Sequence, residues 1–421
     1  MKRRNFIQLS AAGIGASVVQ PIHSSPAPSS LFSISQSLPD VIVVGAGAFG
    51  GWSAYHLKQQ GANVSLLDAY GPGNSRSSSG GETRLIQVNN DNDVYIKSGI
   101  RAYELWKKLE ETSGQQLVLP TGRLDMHTDE SLRRQAQKRI EQQLGFGIRD
   151  TKILERDEIQ RRWPQIFTDD LSFASYNAGG AGGSTLLARK GCRTVADEFI
   201  KLGGNMQIAQ GRPLVSSKVK MQGVELGNGQ VLKAGRYVFA CGPWLSKIFP
   251  DLLGDRLQVQ RRDVLFYGLP SGDHRFAYPN FPEWSVRGTG WYGFPDIENR
   301  GLKAAPYPDT NSIDPDTDQR LVTAQQVKRG HDFIRHRFPS MAGMPITESR
   351  VCQVTNSTDA NFVIDRHPDL DNVWIAGGGS GHGFKHSPAV GEYVAKKVLG
   401  ENTAPEYDET FKLKDAKFSD T

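Results

Sequence analysis

Long apolar runs, cysteine and charge of one sign are all scarce in this sequence. No apolar stretch approaches the roughly 20 residues that a membrane-spanning helix needs. Only three cysteines occur, Cys192, Cys241 and Cys352, too few for a complete disulfide framework, and neither a CxxC pair nor a Cys/His spacing suited to a metal is present. The 50 basic and 45 acidic residues leave a formal charge of +5, of which Lys2, Arg3 and Arg4 supply three. Charge therefore offers no footprint for nucleic acid. Internal repeats are missing, and the only low-complexity tract is a Ser/Pro linker near the start. Glycine is plentiful, with 45 in 421 residues. The balance of apolar and charged residues is that of an ordinary globular chain, long enough for two domains.

Residues 1–38 read as a targeting segment and linker. Lys2-Arg3-Arg4-Asn5-Phe6-Ile7-Gln8 sets paired arginines before a weakly apolar stretch from Leu9 to Val19, and the first acidic residue is Asp40. A Sec signal or a disordered tail is the bland reading. Paired arginines at this distance predict a twin-arginine signal, with that translocation machinery as partner and a periplasmic or extracellular destination.

The mature part begins with Val41-Ile42-Val43-Val44, which predicts a buried parallel strand. It runs into Gly45-Ala46-Gly47-Ala48-Phe49-Gly50, then a helical stretch from Gly51 to Gln60, then a second strand from Asn63 to Leu67 that ends at Asp68. A GxGxxG in this strand–turn–helix–strand context predicts a dinucleotide site. Gly45 permits the tight turn, Gly47 the approach of a pyrophosphate, and Gly50 close packing of helix on strand. Asp68, with Ala69 beside it, is placed to accept from ribose hydroxyls, which disfavours a 2′-phosphate.

Two later segments read as the same domain returning. One is a buried strand from Tyr237 to Ala240 closed by Gly242-Pro243. The other is Asn372–Ala376, leading into Gly377-Gly378-Gly379-Ser380-Gly381-His382-Gly383-Phe384. A helix is expected next, with Ser387 as N-cap, Pro388 in its first turn and Gly400 after its last. Between these three pieces of the nucleotide domain lie a polar helix near Glu130–Leu144 and an aromatic-rich run of short strands from Val259 to Tyr307. The organisation expected is α/β, with a Rossmann-like nucleotide domain over 39–119, 181–250 and 346–402. A second, interleaved α+β domain covers 120–180 and 251–345, and a tail covers 403–421.

Several motifs together resemble a known family. They are GAGAFG after a strand, Gly81-Glu82-Thr83-Arg84, Arg162-Trp163-Pro164, Tyr292-Gly293-Phe294-Pro295, Gly301-Leu302-Lys303, Cys352, Asn361–Asp365 and Gly379–Lys385. Their order and spacing are similar to those of the monomeric sarcosine oxidase and N-methyltryptophan oxidase family, over about residues 39–400. The resemblance implies a glutathione-reductase-type FAD domain with a substrate domain built on a mixed sheet, in a monomeric amine oxidase. It also implies oxidation of a secondary or tertiary amine at a C–N bond, with O2 reduced to H2O2. Carried onto this chain, it implies a thioether from Cys352 to the flavin and a cation at Lys303 where O2 is reduced. Arg84 would lie against the flavin, Tyr292 in the active site, and Lys385 at a substrate carboxylate. Thr83, Gly242, Gly379, Gly381, His382, Gly383 and Phe384 would join Gly45, Gly47, Gly50, Asp68 and Ala69 around the cofactor. His382 and His386 are four residues apart, but no third ligand is visible, so no metal is expected.

Three positions depart from the family pattern. Gln87 stands where an arginine would complete a carboxylate clamp, Val354 where a tyrosine follows the cysteine, and Tyr307 where a histidine follows the lysine. These substrate-pocket changes predict that sarcosine is not the substrate and that a bulkier or less charged amine is. Two further readings stay open. One is a dehydrogenase that passes electrons to quinone or a cytochrome. The other is a flavin-fold binding protein without catalysis.

Overall fold

The computed structural model describes residues 40–88, 90–215, 219–306 and 312–418. The predicted leader and Tyr307 lie outside the described residues. No described helix is long and apolar enough to cross a membrane.

The valine-rich segment Val41–Val44 is buried throughout and pairs on both sides, with Val64–Asp68 and with Arg236–Phe239, in parallel register. β-Branched residues buried on both faces suit that position. The full sheet has six strands in the order Val363–Arg366, Val373–Gly377, Arg236–Phe239, Val41–Val44, Val64–Asp68, Asn205–Ile208, with only the first antiparallel to its neighbour. The helix Ala48–Gln59 follows the first strand and packs on the long helix Gly383–Leu399. Their contact is tight, since a Cβ at Gly391 would stand 2.5 Å from the backbone carbon of Trp52.

The second sheet has eight strands in the order Ile346–Ser357, Leu257–Tyr267, Leu302–Pro306, Trp291–Phe294, Glu283–Arg287, Arg123–His127, Phe173–Asn177, Thr151–Glu155. It is mixed, because Glu283–Arg287 runs parallel to Arg123–His127 while the other neighbours are antiparallel. Trp284, Phe276, Phe281 and Phe338 form an aromatic cluster beneath it, all fully buried. Truncating one such side chain to alanine costs about 3–5 kcal/mol. The polar helix near Glu130 is present as Arg133–Gly145 after a single 3₁₀ turn.

Three features differ from the sequence expectation. The segment Ile346–Ser357, assigned above to the nucleotide domain, pairs along its length with Leu257–Tyr267 in the eight-stranded sheet. The long helix begins at Gly383, not at Ser387, because the glycine run already closes a turn there, with the Gly383 amide bonded to the Gly379 carbonyl at 2.7 Å. Ser387 is buried and caps nothing, and Pro388 sits inside the helix, where it forfeits one backbone hydrogen bond. The expected tail carries a helix, Pro405–Phe411, whose Phe411 is fully buried. Gly400 terminates the long helix in the left-handed conformation as anticipated, at φ 79°.

Candidate active site

Between the two sheets lies a cavity of about 850 Å³. Its nucleotide end is built by the first glycine loop. Gly45 adopts φ 103°, and a Cβ there would stand 2.4 Å from the Ala240 carbonyl oxygen. Gly50 does not line the cavity; a Cβ on it would meet the Gly45 oxygen at 1.8 Å, so it sets the approach of helix to loop. Gly47 forms the N-terminal boundary of the helix; the Ala48 amide donates to Ser79 Oγ at 3.0 Å, and the first-turn amides after it are left for an anionic ligand. Asp68 accepts from the amides of Ala46, Tyr70 and Gly71 at 2.7, 2.8 and 2.8 Å. Burial raises its pKa, and those three amides oppose the rise. Ala69 and Gly242 line the same end.

At the other end, Gly379, Gly381, His382, Gly383, Phe384 and Lys385 line one wall, and Thr83, Arg84, Tyr292, Lys303, Cys352 and Val354 line the facing ones, with Gln87 also at the cavity. Residues predicted from five separate stretches therefore converge on one space. Arg84 is folded back so that its guanidinium donates to the carbonyls of Thr83 at 2.8 Å and Ser78 at 2.6 Å. Only glycine at position 81 leaves room for it, since a Cβ there would lie 2.1 Å from Arg84 Nη1. Lys303 is 4% exposed. Its ammonium donates to Thr83 Oγ1 at 2.9 Å and faces the ring of Phe294 at 4.8 Å. Burial, and then Arg84, lower its pKa to about 7.

The three thiols differ. Cys192 and Cys241 are pushed up to about 12 by burial, and Cys241 donates to the Val44 carbonyl at 3.5 Å. Cys352 is half-buried at the cavity, opposite Arg262 in the antiparallel register and packed, as Tyr292 is, against the cluster of Val264, Phe266 and Ala305.

Four charged residues were given no role by the motifs, although one of them, Glu82, stands inside the Gly81–Arg84 motif. Glu82 gathers Arg350, Arg300 and Arg189 at 2.6, 3.4 and 3.5 Å. Burial opposes its charge, but Arg350, Lys303 and Arg300 hold its pKa below the usual value. Arg123, Arg262 and Arg287 line the cavity from three strands of the second sheet. Arg123 pairs with Asp125 at 2.5 Å and with Glu283, and Arg287 meets Asp125 at 3.5 Å. Burial works against the Asp125 charge, yet Arg123 and Arg287 hold that carboxyl well below its usual range. Arg262 donates to the Tyr292 hydroxyl at 3.3 Å. The expectation of a less charged ligand thus meets a wall with more cations than the motifs disclosed.

Lys385 extends from the first turn of the long helix. Its ammonium has no hydrogen-bond or ion-pair partner among the described residues, and burial with Arg123 nearby lowers its pKa to about 8. His382 and His386 use different partners, the Ala360 carbonyl at 3.1 Å and Ser98 Oγ at 3.2 Å.

The donor set fits FAD. The Asp68 carboxylate and the helix N-terminus at Gly47 suit the ribose and pyrophosphate, and a glycine-lined wall at Gly379 and Gly381 leaves room for a flat ring. Comparison with known proteins agrees. The family described as FAD-dependent oxidoreductase (DAO) matches residues 40–397. Monomeric sarcosine oxidase of Bacillus sp. (strain B-0618) is 31% identical over 375 residues, 86% of this chain and 93% of that one. Peroxisomal sarcosine oxidase of Homo sapiens is 30% identical over 382 residues, 89% and 95% of the two chains. N-methyl-L-tryptophan oxidase of Salmonella enteritidis PT4 is 25% identical, covering 87% and 96%. Among solved structures, fructosyl peptide oxidase from E. terrenum superposes with a TM-score of 0.78 at 19% identity, covering 90% and 93%, a likeness of fold alone. With its glycine loop, its cavity and nearly its whole described length matched, the chain belongs to the family of FAD-dependent oxidoreductases.

Proposed function

We propose that this protein oxidises a C–N bond of an N-substituted amino acid, or of another secondary or tertiary amine, and that sarcosine itself is not its substrate. The observation that carries this reading is the pair of ammonium groups at one cavity, Lys303 held by Thr83 and Lys385 left without a partner. The substrate loses two electrons and two protons to become an imine, which water converts to a carbonyl compound and a smaller amine. FAD, held by the loop at Gly45 and Gly47, by Asp68 and by the wall at Gly379–Lys385, would supply the hydride acceptor and the route of the two electrons to O2, giving H2O2. Lys385 holds the substrate carboxylate and so orients the neighbouring C–H. Tyr292 and Val354 shape the wall beside it. Lys303 stabilises negative charge developing on O2, and Arg84 provides a second fixed cation near the ring.

Cys352 is the proposed covalent anchor. Its Sγ would form a thioether in place of the Sγ–H and one C–H of the flavin, and the two electrons and two protons released would go to O2. The names of the relatives, sarcosine oxidase and N-methyl-L-tryptophan oxidase, support oxidation of N-methylated amines. The retention of a buried cation and a cavity-facing thiol supports catalysis over ligand binding alone. We also read the chain as a monomer exported by the twin-arginine route.

The test is anaerobic mixing with a panel of amines while flavin absorbance is followed, then admission of air with a peroxidase-coupled assay. Bleaching followed by stoichiometric H2O2 supports the proposal. Bleaching without H2O2 turns the reading to a dehydrogenase, and no bleaching with any amine overturns it.

A further inference from the structure

Besides Lys303, which Thr83 holds, the cavity wall formed by the second sheet and the long helix carries four cations: Arg123, Arg262, Arg287 and Lys385. Two carboxylates inside the protein, Asp125 and Glu283, neutralise Arg123 and Arg287. Arg262 and Lys385 have no acidic partner among the described residues. Charges removed from bulk water and left unpaired are destabilising unless a ligand completes them.

Arg262 is aimed at the cavity by strand geometry. It lies directly across from Cys352 in the register of Leu257–Tyr267 with Ile346–Ser357, so it shares a sheet face with Cys352 and, diagonally, with Val354. Its guanidinium rests on the Tyr292 ring at 5.5 Å and donates to that hydroxyl at 3.3 Å. A Cβ on Gly381 would stand 3.7 Å from both Arg262 Nη2 and Val354 Cγ1, which places the guanidinium beside the small valine side chain. Arg262 Nε is buried without a hydrogen-bond partner. A tyrosine-braced guanidinium with free donors presents its fork to a carboxylate.

Taking the proposed amine oxidation as its basis, we propose that the substrate is a dianion, a secondary amine with a carboxylate on each N-substituent. Lys385 binds one carboxylate and Arg262 the other. Arg262 is thus a specificity-determining residue, and the cation missing at Gln87 is not simply lost but replaced by one on the strand Leu257–Tyr267 that reads a second acidic group.

The test uses two thioether probes in which sulfur replaces the amine nitrogen, thiodiacetate with two carboxylates and (methylthio)acetate with one. Each is titrated into the flavin-loaded protein and read by the change in flavin absorption. The dianion is expected to bind at least about tenfold more tightly in the wild type. Arg262→Gln should bring that ratio to about one, while Arg262→Lys keeps part of it because the charge remains. Flavin content and thermal unfolding of each variant confirm folding. A wild-type ratio near one, or a preference that survives Arg262→Gln, overturns the inference. If amines bleach the flavin but the ratio is one, only this inference fails. If neither probe binds and no amine bleaches the flavin, the amine-oxidase proposal fails with it.

Discussion

Lys303 reaches from the second sheet to Thr83, donating to its hydroxyl at 2.9 Å and its carbonyl at 3.3 Å, while the next residue, Arg84, donates to that same carbonyl at 2.8 Å. One threonine thus fixes two cations. An ammonium lowered to about 7 is only partly charged at neutral pH, and negative charge arriving beside it draws its proton back.

Lys303→Met should slow reoxidation of the reduced flavin by about 10²–10³, the loss typical of a preorganised charge, while reduction by the amine changes far less. Stopped-flow mixing with oxygenated buffer measures both steps. In the wild type the reoxidation rate should fall as pH rises above about 7, because the ammonium loses its proton. The dependence should vanish in the methionine variant. Equal reoxidation rates in the two proteins would sink the assignment.

Cys352→Ser should release the flavin on acid precipitation, whereas the wild-type pellet stays yellow. The other two thiols, both pushed up to about 12, differ in place, Cys241 lining the cavity and Cys192 buried away from it, so Cys192 serves as the control: Cys192→Ser should leave the pellet coloured. A colourless wild-type pellet would rule out the thioether.

Sarcosine should give a lower kcat/KM for H2O2 production than larger N-substituted amino acids at equal concentration. A small substrate has little area to bind with beyond its carboxylate, and a larger one gains roughly 25 cal/mol per Å² of apolar contact. Gln87→Arg should shift the preference toward small carboxylated amines. Sarcosine emerging as the best substrate would refute the pocket argument.

His56 supplies a stability prediction. It is buried, stacks on Trp52 and lies 3.1 Å from the Pro388 carbonyl, and burial lowers its pKa to about 4. The unfolded chain takes up this proton near pH 6.5, the folded chain only near 4, so between those values the unfolded state binds more protons and acid favours it. Unfolding free energy should therefore decline as pH falls through that window. His56→Gln, which keeps a donor for Pro388, should flatten part of the decline in urea titrations. An unchanged slope would exclude His56 as its source.

The sequence disclosed what local constraint writes into short stretches. Gly45 and Gly50 are demanded by backbone contacts under 2.5 Å, and the strand at Val41–Val44 by burial on both faces, so both are visible as composition. Lys303 and Cys352 were visible by family spacing. Arg123, Arg262 and Arg287 were not, because each stands on a strand where an arginine looks like an outward-facing residue. Only the pairing of Leu257–Tyr267 with Ile346–Ser357, roughly ninety residues apart, turns Arg262 toward Cys352. The same long-range pairing explains the misplaced boundary at 346. Ser387-Pro388 misled for the opposite reason: a strong local helix-start signal was overridden by the turn at Gly379–Gly383.

The ribbon of Leu257–Tyr267 with Ile346–Ser357 keeps unbroken register from Leu257↔Ser357 to Phe266↔Glu348, shifting only at Phe266/Tyr267. Side chains alternate faces with a period of two, so one inserted or deleted residue in either strand would turn Arg262 or Cys352 away from the cavity. Divergence of this pocket is therefore confined to exchange of side chains at fixed chain length along the ribbon. Gain or loss of residues is left to the connections at its ends, and a homologue with a length change inside either strand will have lost the arginine, the cysteine, or the reason to keep them.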